Sequence, residues 1–419
     1  MAAMGGPSCS RLPCFRNLPS SGAEITATSV EERCSFGISP QLFRTVMSRT
    51  RLQILKRKDP IRIGYLPVSD CAPLVYAHES GLYEKYDLEV HLQRETSWAN
   101  VRDKVIQGEL DAAHAPSTLP FLANLGIESD PCACVSGLVL SLQGNAITLS
   151  RKLWDEGVRD AAGLRERIYR SWGKRTFTFG VVFSLSTQEI LLRRWLTSAG
   201  IVPDVEVRIV AIPPAQMFPT LKLGYIDGYC VGEPWTSVAV QAGVGVCLAT
   251  SAELAPLHPE RVLMVRQSFA SGRAEVHERL IAALLEACAF CDVPTNRSLL
   301  GEVLSHAHYV NAPSECVQAG LPRPFGRVGT AAEPLSGTSI LSRYNANEPG
   351  DDKALWIIER LYELFQQDSF RTKARGRAPV LKNIFRKDIF ERARLLRLEA
   401  YKAAESTGPG ANKTVALSS

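Results

Sequence analysis

Short apolar runs alternate with amphipathic segments from residue 60 onward. The runs IRIGYL, LEVHLQ and LDAAHA are typical of β-strands, and a segment with helical spacing follows each of them. SWANVRDKVIQ, for example, predicts a helix that begins after Ser97 and ends at Gly108. Serine caps helix N termini, and glycine accepts the left-handed backbone that follows their C termini. This alternation favours an α/β fold with a largely parallel sheet.

A second unit of the same kind covers residues 175–231. Its runs RTFTFGVVF, VEVRIVAI and IDGYCV are predicted strands. The segment SLSTQEILLRRWLTSAG gives the clearest helix prediction, because Ser186 and Glu189 have the S-x-x-E spacing of a capping box. Two α/β units joined by short crossings leave a cleft, and ligands of such folds bind beyond the carboxyl ends of the strands.

Length and composition are those of a soluble globular protein. The chain has 419 residues, enough for two or more domains, with 45% hydrophobic and 22% charged residues. It contains no apolar run of the roughly 18 residues that indicate a membrane-spanning helix. The charge is uneven, with a net +5 over residues 1–59, +8 over 369–419 and −8 between them. Basic ends of this kind are more often solvated tails than docking surfaces for an acidic partner or a membrane.

The N-terminal segment does not resemble a secretory signal. MAAMGGPSCSRLPCFRNLPSSGAE lacks a basic start followed by an unbroken apolar stretch. The first 46 residues read as flexible filler, and Met47 is a second possible start. We therefore expect a cytoplasmic protein. The alternative, if translation starts elsewhere, is the periplasmic face of the inner membrane.

Polar side chains follow the predicted strands. Ser69 and Asp70 come after the first strand, and Asn145 and Gln188 come after two later ones. Each has an ordinary structural explanation as a helix cap or a turn residue. Together they predict a site for a small anion, because helix N termini add unpaired N–H groups and a partial positive charge.

The corner Glu233-Pro234-Trp235 follows the strand IDGYCV. Tryptophan supplies a flat wall, and proline fixes the direction of the backbone. Glu233 would repel an anion unless it points elsewhere, is protonated or pairs with a cation. Arg261 is the candidate cation.

Sequence motifs of the common enzyme classes are absent. The chain has no G-x-S-x-G, P-loop, G-x-G-x-x-G or H-E-x-x-H motif, and its seven histidines are scattered. These observations predict a binding protein rather than an enzyme, with no metal, no cofactor and no direct contact with nucleic acid.

Several segments resemble one known family. IRIGYLPVSDCAPLVYAHESGLYEKYDLEV resembles the start of the solute-binding proteins of nitrate, bicarbonate and sulfonate ABC transporters. TSWANVRDKVIQGELDAAHA, IPPAQM and DGYCVGEPW resemble the nitrate/bicarbonate branch, and the last is the most specific. The resemblance covers about residues 60–320. It implies a type 2 periplasmic-binding-protein fold, in which two α/β lobes with a hinge close an interlobe cleft on the ligand, without catalysis.

The resemblance and the composition together predict four segments. Residues 1–59 are predicted to form a basic, disordered extension, and residues 369–419 a basic tail that is partly helical. Residues 60–148 with 248–368 form lobe 1, which includes a helical C-terminal part, and residues 149–247 form lobe 2.

The resemblance also implies which residues bind the ligand. They are Trp98, Asn145, Gln188, Pro214, Val231, Glu233, Pro234, Trp235 and Arg261. Family members commonly have glutamine near position 145, histidine at 188 and lysine near 261. Asparagine and glutamine still hydrogen-bond an oxyanion, and the forked donors of arginine suit a planar one. The bicarbonate relatives place an acidic residue and calcium near position 261, so Arg261 favours nitrate or nitrite.

Three functions remain open at this point. The first prediction is a cytoplasmic nitrate/nitrite sensor, similar to those that sequester an RNA-binding antiterminator until the ligand arrives. The alternative is the substrate-binding component of a nitrate/bicarbonate ABC transporter, with a permease and an ATPase as partners. The second alternative is an enzyme of the same fold in cofactor biosynthesis. Enzymes of this kind carry a cysteine-rich motif, to which Cys132-x-Cys134 is only weakly similar.

Overall fold

The computed structural model describes residues 59–322, 339–364, 381 and 383–406. The predicted extension at residues 1–59 lies outside these ranges except for Asp59, and so does much of the predicted tail. The strands of the described part are β1 (Ile61–Tyr65), β2 (Val90–Arg94), β3 (Ala112–Pro116), β4 (Cys134–Val135), β5 (Val139–Leu142), β6 (Asn145–Ser150), β7 (Phe177–Val181), β8 (Val207–Ala211), β9 (Gly228–Gly232), β10 (Gly245–Thr250) and β11 (Pro259–Arg266).

The strands form two separate sheets. The first has the order β2-β1-β3-β11-β4, with β5 also paired to β11. Strand β1 runs parallel to β2 and β3, and β11 runs antiparallel to β3. The second sheet has the order β10-β6-β9-β7-β8, in which β7 is parallel to β8 and β9 while β6 is antiparallel to β9 and β10. Parallel strands need crossover connections, and the helices between them confirm the predicted alternation. The prediction of a largely parallel sheet is wrong for the described strands, because four of their nine pairings are parallel and five are antiparallel.

Helices connect and cover the two sheets. They are α1 (Ala72–Glu79), α2 (Leu82–Lys85), α3 (Trp98–Gln107), α4 (Leu119–Leu125), α5 (Arg151–Asp155), α6 (Ala161–Arg170), α7 (Thr187–Ser198), α8 (Pro214–Lys222), α9 (Trp235–Gln241), α10 (Ser251–Leu254), α11 (Gln267–Gly272), α12 (Ala274–Cys291), α13 (Arg297–Ser305), α14 (Ser314–Gly320), α15 (Asp351–Leu364) and α16 (Lys387–Ser406). Short 3-10 helices cover Ser69–Cys71 and Pro294–Asn296. None of these helices combines the length and the apolar character needed to cross a bilayer.

Helices α12 and α16 pack on the first sheet's side of the molecule, whereas α15 contacts α7. Helix α12 contacts α1 and α16, and the ring of Tyr76 on α1 stacks on Phe290 of α12 with the centroids 3.9 Å apart. Within the tail predicted to be partly helical, Lys387–Ser406 form helix α16, which packs on α12.

The chain passes between the two sheets twice. It crosses once at residues 143–144, between β5 and β6, and returns through α10 between β10 and β11. Asn145 begins the strand after the first crossing, and Glu260 lies near the start of the strand after the second. The crossings therefore bring side chains of both sheets to the same place. The limits of the two lobes at residues 148 and 248 stay a prediction.

Helix α7 begins where its sequence predicts. The Ser186 side chain accepts a hydrogen bond from the Glu189 backbone N–H at 3.2 Å, which is one half of a capping box. The other half differs, because the Glu189 carboxylate accepts from the Leu185 N–H and pairs with Arg193. This cap fixes the first turn of the helix, which carries the predicted site residue Gln188.

Ser186→Ala is expected to lower the free energy of unfolding by about 1 kcal/mol, because the Glu189 N–H loses its acceptor. Urea denaturation monitored by circular dichroism measures this change. Thr197→Ala, at an exposed position in the same helix, is the control and should change the free energy by less than about 0.5 kcal/mol. Equal losses in the two variants would contradict a capping role for Ser186.

Candidate functional site

A buried arginine lies where the two sheets meet. The Arg261 side chain is 0% exposed, and its guanidinium carbon lies 4.8 Å from the centroid of the Trp98 ring. Its Nε is 3.1 Å from Asp70 Oδ2, and its Nη1 is 2.8 Å from Glu260 Oε1. A buried charge is tolerated only when it is paired. These contacts account for the presence of a full positive charge inside the protein.

Glu260 and Arg261 reach the same site although they are neighbours on one strand. Successive side chains of a regular strand point to opposite faces of the sheet. In the pairing with β5, however, Pro259 lies opposite Leu142 and Arg261 lies opposite Ser141, so that Glu260 is one extra residue. Such a β-bulge redirects a side chain and is common beside functional sites. It allows both charges to contact one cluster.

The Glu260 carboxylate is held by residues of the second sheet. Its Oε2 accepts from Asn145 Nδ2 at 2.7 Å and from the Thr187 hydroxyl, and its Oε1 accepts from Gln188 Nε2 at 2.6 Å. Gln188 Nε2 also donates to Asn145 Oδ1 at 2.7 Å. Trp98, Asn145, Gln188 and Arg261 thus belong to one connected cluster at the contact between the sheets. That they bind a ligand stays a prediction.

Some polar atoms of this cluster are buried without a hydrogen-bond partner among the described residues. They include the Trp98 indole nitrogen, the Arg261 Nη2, the Asp70 Oδ1 and the His114 Nδ1. The Asp70 Oδ1 has a histidine nitrogen, His114 Nε2, at 3.5 Å. Each buried polar group without a partner costs about 1–3 kcal/mol. A ligand with both accepting and donating oxygens would satisfy them.

Burial and mutual charge set the ionisation of the cluster. Burial raises the pKa of Asp70 to about 6, against the attraction of Arg261. Burial would also raise the pKa of Glu260, but Arg261, His258 and the Thr187 hydroxyl together lower it to about 2. Burial and the charge of Arg261 hold the pKa of His114 well below its usual value. At neutral pH Glu260 is therefore ionised and His114 is neutral.

The Glu233-Pro234-Trp235 corner lies between the two sheets. The carboxylate of Glu233 points away from the cluster. The Glu233 side chain accepts hydrogen bonds from the backbone N–H and the hydroxyl of Ser237, both at 3.0 Å, in the first turn of α9. A carboxylate is stabilised at a helix N terminus. The sequence left its direction open, and the structure shows that it points to this helix. The Glu233–Pro234 peptide bond is cis.

The same corner contacts the loop after β1. The Glu233 carbonyl accepts from the Ser69 N–H at 2.7 Å, and the Trp235 indole N–H donates to the Pro67 carbonyl at 2.9 Å. Trp235 is therefore tied to the loop that carries Asp70. On its other side Trp235 lines a groove of about 430 Å³ with Phe218 and Val238. The residues that line this groove include none of the charged residues of the cluster, so the groove does not fit an anion.

The remaining predicted residues lie on elements that end near the cluster. Val231 is buried on β9 and pairs with Ala146, and the next residue, Gly232, pairs with Asn145. A Cβ at Gly232 would lie 3.5 Å from Asn145 Oδ1 and 3.8 Å from Arg261 Nη2. The end of β9 therefore borders the cluster closely. Pro214 is the buried first residue of α8, and its role as a pocket wall stays a prediction.

The sequence-based prediction of the site did not include Glu260, nor His258 and Trp356, which lie next to it. His258 lies with Nε2 3.3 Å from Glu260 Oε2, and its ring stacks on Trp356 of α15 with the centroids 5.4 Å apart. A signal was present in LHPERVLMV, where two charged residues interrupt an otherwise apolar strand. Charged residues are rarely buried unless they are paired, so a buried pair could have been expected there. The described residues contain no group of three or more side chains placed to hold a metal ion.

Known proteins are similar to this chain in sequence and in fold. It is 42% identical to the bicarbonate transport ATP-binding protein CmpC of Synechococcus elongatus over 303 residues, which cover 72% of this chain and 44% of CmpC. It is 27% identical to the nitrate/nitrite binding protein NrtA of Synechocystis over 364 residues, which cover 83% of this chain and 79% of NrtA. The chain therefore spans less than half the length of CmpC and most of NrtA.

The solved structures include the periplasmic nitrate-binding protein NrtA from Synechocystis PCC 6803. The two structures superpose with a TM-score of 0.72 and 25% sequence identity, over 85% of this chain and 93% of NrtA. This match confirms the predicted two-lobed periplasmic-binding-protein fold. NrtA is named a binding protein, which confirms the resemblance to nitrate/bicarbonate solute-binding proteins and the prediction of a binding protein rather than an enzyme. The characteristic pattern of the NMT1-like family matches residues 56–305, more than half of the chain, and the protein therefore belongs to the NMT1-like family.

Proposed function

We propose that this chain is the oxyanion-binding part of an ABC import system and that bicarbonate is its ligand. One observation carries the proposal: the buried Arg261 guanidinium and the Trp98 indole N–H meet at the contact between the sheets with donors that lack a hydrogen-bond partner among the described residues. Preorganised donors in a water-free cleft bind an anion strongly, because the low dielectric strengthens each charge-assisted hydrogen bond.

The acceptors of the cluster favour bicarbonate over nitrate. Bicarbonate carries an O–H that can donate to the Asp70 Oδ1, whereas nitrate can only accept. A buried acceptor left without a donor discriminates against a ligand that cannot supply one. The 42% identity to a relative named for bicarbonate transport supports the same choice.

Nitrate, the ligand predicted first from the sequence, is the second candidate. The structural similarity to nitrate-binding NrtA favours it, and so does an arginine whose planar donors match a planar anion. The relatives reported above are named as transport and anion-binding proteins, so they support an ABC transporter component as partner rather than an RNA-binding antiterminator. The side of the membrane on which the chain works stays a prediction.

Calorimetric titration of the full chain with bicarbonate, nitrate, nitrite and taurine tests the proposal. Bicarbonate is expected to bind most tightly and taurine least. Trp98→Phe keeps the ring under Arg261 but removes the indole N–H, and should weaken bicarbonate binding about tenfold, the equivalent of one hydrogen bond. Trp154→Phe is the matched control, because Trp154 on α5 contacts Arg159 instead of the cluster. The proposal would be contradicted if none of the four anions binds. It would also be contradicted if Trp98→Phe and Trp154→Phe bind bicarbonate with equal affinity.

A further inference from the structure

Glu260 occupies the donors that an oxyanion would need. Asn145, Thr187 and Gln188 all donate to its carboxylate, and Arg261 Nη1 lies 2.8 Å from the same group. Three of these four residues are the ones that the sequence assigns to the ligand. Glu260 is buried, so bulk solvent does not reach these contacts.

The chemistry of this contact matches that of the proposed ligand. A carboxylate is a planar anion with two accepting oxygens, and bicarbonate and nitrate present the same planar edge. Amide, hydroxyl and guanidinium donors form a set suited to such an edge. The glutamate head therefore has the shape and the charge of an oxyanion held by the same donors.

The contact also joins the two halves of the fold. Glu260 belongs to β11 of the first sheet, whereas Asn145 begins β6 of the second sheet and Gln188 lies in α7 beside it. A two-lobed protein closes when new interactions form between its lobes, usually through the bound ligand. Here the interactions that join the sheets at this point are made by the protein itself.

We propose that Glu260 is an internal substitute for the oxyanion, which holds the cleft closed in the absence of ligand and must leave its donors before an oxyanion binds. This inference rests on the proposed function, because Arg261 contributes to both sets of donors: its Nη1 faces Glu260, and its Nη2 lacks a hydrogen-bond partner among the described residues. An anion that must compete with an internal carboxylate binds more weakly than the donors alone allow, in proportion to the population in which they are free. The wild-type chain should therefore respond only to high oxyanion concentrations.

Removal of the carboxylate tests the competition. In Glu260→Ala the donors lose their internal acceptor, and formate, the smallest carboxylate, fits the space that the glutamate head leaves. Formate and nitrate should each bind at least about tenfold more tightly to this variant than to the wild type in calorimetry. Small-angle X-ray scattering should show a larger radius of gyration for the variant than for the wild type, and formate should restore the smaller value.

Asp292→Ala is the matched control. Asp292 is a buried carboxylate that accepts from the N–H groups of Leu341 and Arg343, and both partners lie in the turns before α15. Its removal should leave the affinity for formate and the radius of gyration unchanged relative to the wild type. An equal gain of formate affinity in Asp292→Ala would overturn the inference.

Glu260→Gln is the second variant, for use if the alanine variant does not fold. It keeps the shape but replaces one accepting oxygen with a donor that opposes the Gln188 amide. Nitrate should then bind more tightly than to the wild type, by a smaller factor than in the alanine variant. An affinity equal to or below that of the wild type in the folded variants would mean that Glu260 is only a structural ion-pair partner.

The two proposals fail in different ways in this experiment. If the wild type binds bicarbonate or nitrate and neither Glu260 variant binds them more tightly, Glu260 is not an internal substitute for the oxyanion. The proposed function would then remain intact. Binding of formate to Glu260→Ala without binding of bicarbonate or nitrate to any form would support the substitution and overturn the proposed ligands.

Discussion

Replacement of Arg261 with alanine is expected to lower the free energy of unfolding by about 3–5 kcal/mol and to abolish oxyanion binding. The guanidinium is the cation that faces Asp70 and Glu260, and both carboxylates are buried. Without it, the carboxylates are left beside each other in a low dielectric, so that one of them must take up a proton or the cluster must open to water. Denaturant unfolding and calorimetry measure the two losses separately.

Two further variants separate charge from geometry. Arg261→Lys keeps the positive charge but loses the flat fork that stacks on Trp98, so it should recover part of the stability and little of the anion affinity. Arg102→Ala is the matched control, because Arg102 is also buried but pairs with the partly exposed carboxylates of Asp103 and Glu128. These carboxylates can return to water, so the loss should be about 1 kcal/mol. A similar loss in Arg102→Ala and Arg261→Ala would refute the special role of the cluster.

Asp70 is expected to make the protein less stable as the pH rises toward neutrality. Burial raises its pKa to about 6 from an ordinary value of 3.8. Between these values the folded chain holds a proton that the unfolded chain has lost. The stabilisation is complete below the unfolded pKa and is lost as the pH rises through about 6. A shift of this size corresponds to about 3 kcal/mol.

The comparison with Asp70→Asn isolates this contribution. The variant cannot titrate at this position, so relative to the wild type its free energy of unfolding should improve by about 3 kcal/mol between about pH 4 and about pH 7. Groups whose pKa does not depend on Asp70 cancel in the difference. The lowered pKa of Glu260 acts in the opposite direction, with stability lost as the pH falls from about 4.5 toward 2, below this window.

Urea unfolding of both proteins across this pH range measures the difference. Ser69→Ala is the control, because this buried neighbour does not titrate and should differ from the wild type by a constant amount at every pH. A pH-independent difference between Asp70→Asn and the wild type would show that Asp70 is ionised throughout.

The sequence predicts the alternation of strands and helices well, because period and capping are local properties. Ser186 caps α7 as its spacing indicates, and the apolar runs from IRIGYL to IDGYCV form strands. The resemblance to a known family adds what local patterns lack. It names Trp98, Asn145, Gln188 and Arg261, which lie far apart in sequence and form one cluster in the structure.

Other features depended on tertiary structure and could not be predicted. The position of Glu260 follows from a bulge between β11 and β5. The two charged residues in LHPERVLMV indicate a buried ion pair, but they do not show which cluster it joins. The direction of the Glu233 carboxylate depends on where α9 begins. The stacking of Trp356 on His258 joins residues that are about a hundred positions apart, which periodicity within one element cannot reveal.

Because of the extra residue in β11, the net charge of the cluster depends on the number of residues in that strand. An acid and a base stand side by side in the chain, and only the irregular pairing lets both face the same interior. Deletion of one residue upstream of Arg261 would change which side chains of β11 face the cluster. Insertions and deletions at this point of the chain, as well as substitutions, can therefore change which ions a protein of this fold accepts.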